Sequence, residues 1–206
     1  MTRSQERIAP TLVEGDTIID KENVLTISNL SCSGGYIIED KEGTIVLSVS
    51  RKPWSFHHRR IFYKEGKPLF ELQSKWWNSS KIEVILSQKT ILQAKSRMAS
   101  NKPKAVLKFC NAAIKSRHNF SHDRLDTELI VQSEDLENFC QKIMMGNSVM
   151  ACINRIGKPQ DVEERPVSSH GPRWEVKAEK DMGLSLIAVV VVIIGQQVPK
   201  VGRPRV

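Results

Sequence analysis

From about residue 24 onward the apolar positions fall in short β-branched runs separated by turn residues, at the spacing of antiparallel sheet. The first run is Val24 to Ser28. Gly34-Gly35-Tyr36-Ile37-Ile38 then leads through the polar stretch Glu39-Asp40-Lys41-Glu42-Gly43 into Thr44-Ile45-Val46-Leu47-Ser48-Val49, the pattern of a hairpin. Ile61-Phe62-Tyr63, Lys64-Glu65-Gly66-Lys67 and Pro68-Leu69-Phe70-Glu71-Leu72 repeat the arrangement, and the recurrence of Lys-Glu-Gly between apolar runs predicts a meander. Further strands are expected at Ile82 to Leu86, Lys104 to Phe109, Thr127 to Gln132, Ser148 to Ile153 and Trp174 to Lys177. Ser133 to Met145 breaks the pattern: Leu136, Phe139, Cys140 and Ile143 recur at helical spacing and stop at Gly146, which predicts one peripheral amphipathic helix.

The run from Met182 to Ile194 carries no charge and is interrupted only by Gly183 and Ser185. A membrane-spanning helix needs about 20 apolar residues. This run is shorter and is followed by Gly195-Gln196-Gln197 and Pro199-Lys200, so no transmembrane span is expected. A helix apolar on every face belongs inside a protein, and Asp181 would serve as its N-cap. Propensity alone favours a central strand, since Val189 to Val192 are four valines in succession, so helix over strand rests partly on the resemblance given below.

A chain of 206 residues can bury one full core, and the pattern divides it into a polar lead-in at 1–15, one domain at 16–198 and a basic tail at 199–206. Thirty-one Lys and Arg against 23 Asp and Glu leave a net charge of +8, which favours anionic partners. The excess is uneven. Lys81 to Arg117 contains a single acid, Glu83, and a second basic tract runs from Arg51 to Lys67, whereas Asp123 to Glu137 is acidic apart from Arg124. The four cysteines, Cys32, Cys110, Cys140 and Cys152, are scattered without a CxxC and fit a reducing compartment. The charged N-terminus lacks the apolar stretch of a secretory signal, so a cytoplasmic protein, peripheral at a membrane if it touches one, is expected.

Catalytic templates are not met. GxSxG, P-loop, GxGxxG and HExxH patterns are missing, so nucleophilic, phosphate-cradling and zinc-protease chemistry lack their minimum residues, and neither a cofactor nor a metal is expected. His118 and His122 could share a helix face near Asp123 and Asp126, but Asn119 stands where a base would be needed and a third ligand is lacking. His57-His58 sits among Arg51, Lys52, Arg59 and Arg60, as expected of an exposed basic loop, and Glu163-Glu164 has no apolar wall to raise a pKa. Trp54, Trp76, Trp77 and Trp174 are expected to fill or cover a core. Trp76 and Trp77 face opposite ways in a regular strand, and one exposed there beside Lys75 and Lys81 would suit a membrane interface.

Three passages in this order carry a family resemblance: Arg60-Ile-Phe-Tyr-Lys-Glu-Gly-Lys-Pro-Leu-Phe-Glu-Leu72 with Trp76-Trp77 beyond it, Gly146-Asn-Ser-Val-Met-Ala-Cys-Ile-Asn-Arg155, and Trp174-Glu-Val-Lys-Ala-Glu-Lys-Asp181 running into the apolar stretch. From about Asp16 to Val198 the chain resembles the LURP-one-related proteins, within the tubby C-terminal-like, phospholipid scramblase-like fold. The resemblance implies a mainly β protein: a closed antiparallel barrel of about twelve strands around a central apolar C-terminal helix, with the one peripheral helix beside it. It departs at Gly195-Gln196-Gln197, where such proteins tend to carry an acidic pair.

The resemblance also implies two functional readings. Tubby domains bind phosphoinositides and scramblases act on phospholipids, so one reading is a non-catalytic module that associates with an anionic phospholipid surface. Its candidate lipid-binding residues come from charge alone: Arg51, Lys52, Arg59, Arg60, Lys102 and Lys104. The other is a soluble scaffold for a protein partner, of the stress or defence type ascribed to plant members. Nucleic acid ranks below both, because aromatic residues are not interleaved through the Lys81 to Arg117 tract as a stacking platform requires.

Overall fold

Twelve strands follow one another around a ring. The computed structural model describes residues 9–19, 23–30, 33–53, 58–75, 78–99, 102–113, 125, 127–135, 140–156 and 172–197. The strands are β1 (Asn23–Leu30), β2 (Gly35–Glu39), β3 (Ile45–Arg51), β4 (Arg60–Lys64), β5 (Lys67–Lys75) and β6 (Asn78–Leu86), then β7 (Lys89–Ala99), β8 (Lys102–Phe109), β9 (Thr127–Ser133), β10 (Cys140–Met145), β11 (Ser148–Ile156) and β12 (Arg173–Ala178). Each pairs antiparallel with its sequence neighbour, and β12 closes the barrel on β1 with Leu25 opposite Val176 and Ile27 opposite Trp174.

Alternate side chains enter the barrel: Leu25 and Ile27 on β1, Tyr36 and Ile38 on β2, Leu47 and Val49 on β3, Ile82 and Val84 on β6, and Trp174 and Val176 on β12 are all at most 3% exposed. The space they enclose is filled by α1 (Leu184–Gln197), in which Leu186 to Val192 are at most 1% exposed. The apolar run is therefore a helix. A closed barrel offers no free strand edge in its interior, whereas a helix satisfies its own backbone and can be apolar on all faces.

Asp181 is not its N-cap, contrary to expectation. Its φ is +65° and its N–H donates to Ile19 O at 2.7 Å, so the chain is still turning there. The cap arrives from the other end of the sequence: the Asp16 carboxylate accepts from Ser185 N at 3.2 Å and from Ser185 Oγ at 2.9 Å. Gly183 N and Leu184 N donate to the carbonyls of Pro10 and Thr17. Residues 9–19 thus lie across the end of the barrel at which α1 begins, with Leu12 in the core.

The expected peripheral helix is also corrected. Its first residue, Ser133, ends β9, Glu134 N donates to Cys140 O at 2.9 Å across the turn, and Cys140 to Met145 are strand β10. Gln141 and Ile143 are its inward residues, so the helical spacing reflected a strand with a polar residue turned into the core, while Leu136 and Phe139 lie outside the described residues. β7, which the hydrophobic pattern did not predict, is the longest strand; it follows β6 through Ser87 and Gln88, whose φ values are +49° and +68°.

Antiparallel order makes the connections alternate between two ends. The entry end carries the start of α1 and the β2–β3, β4–β5, β6–β7, β8–β9 and β10–β11 connections. The exit end carries the other connections and the last turn of α1, where Gly195 abuts Tyr36 at the start of β2 and Trp174 at the start of β12.

Candidate functional site

All six candidate cations fall at the exit end, but in two groups. Arg51 is the last residue of β3 and stands in register with Arg60, the first of β4; Lys52 N donates to Arg59 O at 2.9 Å. Lys102 and Lys104 are at the start of β8, in register with Ala99 and Arg97 of β7. β5, β6 and β7 lie between the groups, so closure puts them on one rim without bringing them together.

Within the first group the four side chains differ sharply. Arg51 and Lys52 are exposed. Arg59 closes on both oxygens of Glu71 through Nε and Nη2, and its charge is thereby answered. Burial pulls the Glu71 carboxyl up, but the hydrogen bonds from Arg59 and Gln73 outweigh it and hold it below the usual carboxylate range. Arg60 faces the opposite way, on the inward side of β4 with Phe62, and its guanidinium carbon lies 5.9 Å from the centre of the Tyr36 ring. Burial lowers its pKa; the Tyr36 phenol opposes the change and the Arg51 charge adds to it.

Tyr36 joins Arg60 to the end of α1. Its ring centre is 6.2 Å from that of Trp174. A β-carbon at position 195 would stand 2.8 Å from Tyr36 Oη and 3.0 Å from Trp174, so only glycine lets the last turn of α1 settle between them. Burial pushes the Tyr36 phenol up, against the Arg60 charge and a hydrogen bond with Asn29. Among the described residues five buried side-chain polar atoms have no hydrogen-bond partner, and four are N–H donors at this end: Arg60 Nε, Arg173 Nε, Trp174 Nε1 and Gln196 Nε2. Buried donors are nearly always satisfied in folded proteins, so such a cluster calls for a chemical reason.

Charge flagged Arg51 and Arg60 in the sequence but not Tyr36, Trp174 or Gln196. The usable signal was strand parity: Arg60 is two residues from Phe62 and shares its face. Along the barrel wall four lysines have a carboxylate near: Lys81 with Glu83, Lys108 with Glu128, Lys142 with Glu134 and Lys177 with Glu175. His58 is exposed, whereas His57, His118, His122, Asp123, Asp126, Glu163, Glu164, Trp54, Trp76 and Trp77 lie outside the described residues. Among the described residues there is no group of three His, Cys, Asp or Glu able to hold a metal ion, and no helix long and apolar enough to cross a membrane. A groove of about 490 Å³ lies at the entry end, lined by Leu12, Val13, Leu69, Leu86, Ile91 and Ala112 and edged by Lys89 and Cys110.

Comparison with known proteins agrees with this geometry. The family model described as LURP-one-related matches residues 23–195, from the first strand into the last turn of α1. A solved structure of an Arabidopsis thaliana protein superposes with a TM-score of 0.54 at 16% identity, covering 88% of this chain and 98% of that one, a likeness of fold. No curated protein sequence matches.

Proposed function

The chain belongs to the LURP-one-related family, and on that footing we propose that it is a non-catalytic module that associates with anionic phospholipid through the exit end of its barrel, as a peripheral protein on the cytoplasmic side. The observation that carries the reading is the placement of Arg51, Lys52, Lys102 and Lys104 on one rim, in a chain whose sequence after α1 adds Lys200, Arg203 and Arg205. Cations sharing a rim can meet a flat surface together even when they are strands apart, and each contributes about 1 kcal/mol near an anionic leaflet. On the wall, Lys81 and Lys108 each have a carboxylate near.

Sedimentation with neutral liposomes, and with liposomes carrying phosphatidylserine or a phosphoinositide, tests this at low and physiological salt. Selective binding that persists at physiological salt is expected, weakened by charge reversal at Arg51 and Lys52 and, separately, at Lys102 and Lys104. The second reading, a scaffold for a protein partner with no lipid role, is favoured by wall pairs that answer the charge of Lys108, Lys142 and Lys177. Binding that is absent, or lost with modest added salt, would favour it over the lipid reading.

A further inference from the structure

At the exit mouth, unanswered donors and unanswered charge share one chemical requirement. Arg51 and Arg60 stand directly opposite each other, and like charges in that position destabilise a sheet. Arg59, one residue away, is answered by Glu71. Arg51 and Arg60 have no carboxylate partner among the described residues, and the buried Nε of Arg60 has no acceptor. The end of α1 does not supply the balance: a helix C-terminus carries a partial charge of about −0.5, a quarter of what two guanidiniums present.

We propose that this mouth is a socket for one phosphate group, gripped by the guanidiniums of Arg51 and Arg60 at an end of the barrel where the buried donors Trp174 Nε1 and Gln196 Nε2 also lack a protein acceptor. Tyr36 links Arg60 to the end of α1: its ring lies under Arg60 and beside Trp174, and its hydroxyl stands against Gly195. Gly34 completes the rim: a β-carbon there would stand 3.2 Å from Arg51 Cδ, so the β1–β2 turn lies close along the Arg51 side chain. Arg173 is on the other face of β12 from Trp174 and takes no part. Phosphate fits better than carboxylate on two counts. Two guanidiniums match a dianion, and donors arriving from a strand pair, an indole and a helix end suit a tetrahedral group with several free oxygens. The socket deepens the phospholipid reading and rests on it only for the source of the phosphate, a lipid headgroup rather than a free ion.

Calorimetric titration of the full chain with inorganic phosphate, with soluble inositol trisphosphate and with acetate tests the socket. One-to-one binding is expected, tighter for inositol trisphosphate than for inorganic phosphate and absent for acetate. Arg60→Met and Arg51→Gln should each weaken it by at least roughly tenfold, the scale of hydrogen bonds to a charged group, while Lys41→Gln, in the exposed β2–β3 connection at the entry end, changes it less than about twofold. Thermal melting checks that the variants fold; should Arg60→Met fail, Trp174→Phe, which removes one donor and keeps the ring, should cost roughly fivefold. No heat with either phosphate compound, equal loss in Lys41→Gln, or acetate binding as well as phosphate would overturn the proposal. Vesicle sedimentation separates the two readings. Phosphate binding without vesicle binding keeps the socket and removes the phospholipid reading. Vesicle binding that Arg60→Met leaves intact, with no phosphate binding, removes the socket alone.

Discussion

Asp16 concentrates the cost and the benefit of capping a buried helix. Its carboxylate satisfies Ser185 N and Oγ at the start of α1, and Gly183 leaves it room, since a β-carbon there would stand 2.6 Å from Asp16 Oδ2. Burial nevertheless raises its pKa above the ordinary 3.8; the hydrogen bonds from Ser185, the Thr17 backbone and the Lys64 charge pull the other way and lose. An acid whose pKa is higher folded than unfolded binds more protons in the folded state between the two values. Its contribution is therefore fully present below the unfolded value and lost as pH rises through the folded one. Replacing Asp16 with Ala should cost about 1–2 kcal/mol at neutral pH, as for a lost cap. Asp16→Asn keeps an acceptor and should cost less. Denaturant titrations from pH 7 downward should show the native chain gaining stability relative to Asp16→Asn as pH falls toward 4; a flat difference would mean that burial does not dominate at this carboxylate.

At the scale of elements, α1 shows local preference overruled by enclosure. Val189 to Val192 are β-branched and poor helix formers, yet they form the middle of the helix because the barrel admits only a segment that satisfies its own backbone. A peptide of residues 184–197 taken out of the barrel should therefore not be helical in water. Circular dichroism is expected to show β structure developing with aggregation, and a stable monomeric helix would contradict this account. The same tension explains what could be read from the sequence. The β4–β5 hairpin was legible because Glu65 and Gly66, at φ +50° and +75°, include the glycine such turns favour. β7 was not, because Ser87 and Gln88 adopt the same left-handed region without a glycine, asparagine or aspartate to mark it. β10 was misread because Gln141, buried and polar, breaks the alternation that identifies a strand. The candidate site divided similarly. Charge located Arg51, Arg59 and Arg60, but which arginine pairs with Glu71 and which enters the barrel depends on parity and register. The meeting of Arg60, Tyr36, Trp174 and Gln196 depends on ring closure, which no local pattern encodes.

For the whole molecule, closure makes every part depend on the chain's last described helix. β1 must find β12 across nearly the full sequence, and the side chains that all the strands turn inward have α1 as their partner. The nine Leu, Ile and Val side chains of α1 at about 1.5–3 kcal/mol each amount to about 14–27 kcal/mol of burial, more than the 5–15 kcal/mol by which domains of this kind are stable. Part of that sum is recovered by the conformational freedom of an unfolded α1, but the inner faces of the strands would also lose their partner, so the barrel should not survive alone. A chain ending at Ala178 is expected to show no cooperative unfolding transition by far-ultraviolet dichroism and to exchange its strand amides within minutes. The full chain should unfold in one transition, with the fluorescence of buried Trp174 and the backbone signal changing together. Slow refolding should accompany it, because pairing β1 with β12 closes the longest loop in the chain before α1 is sealed inside. If the shortened chain kept a sharp transition, the helix would be an occupant of a self-sufficient barrel, and the exit mouth would have to be explained without it.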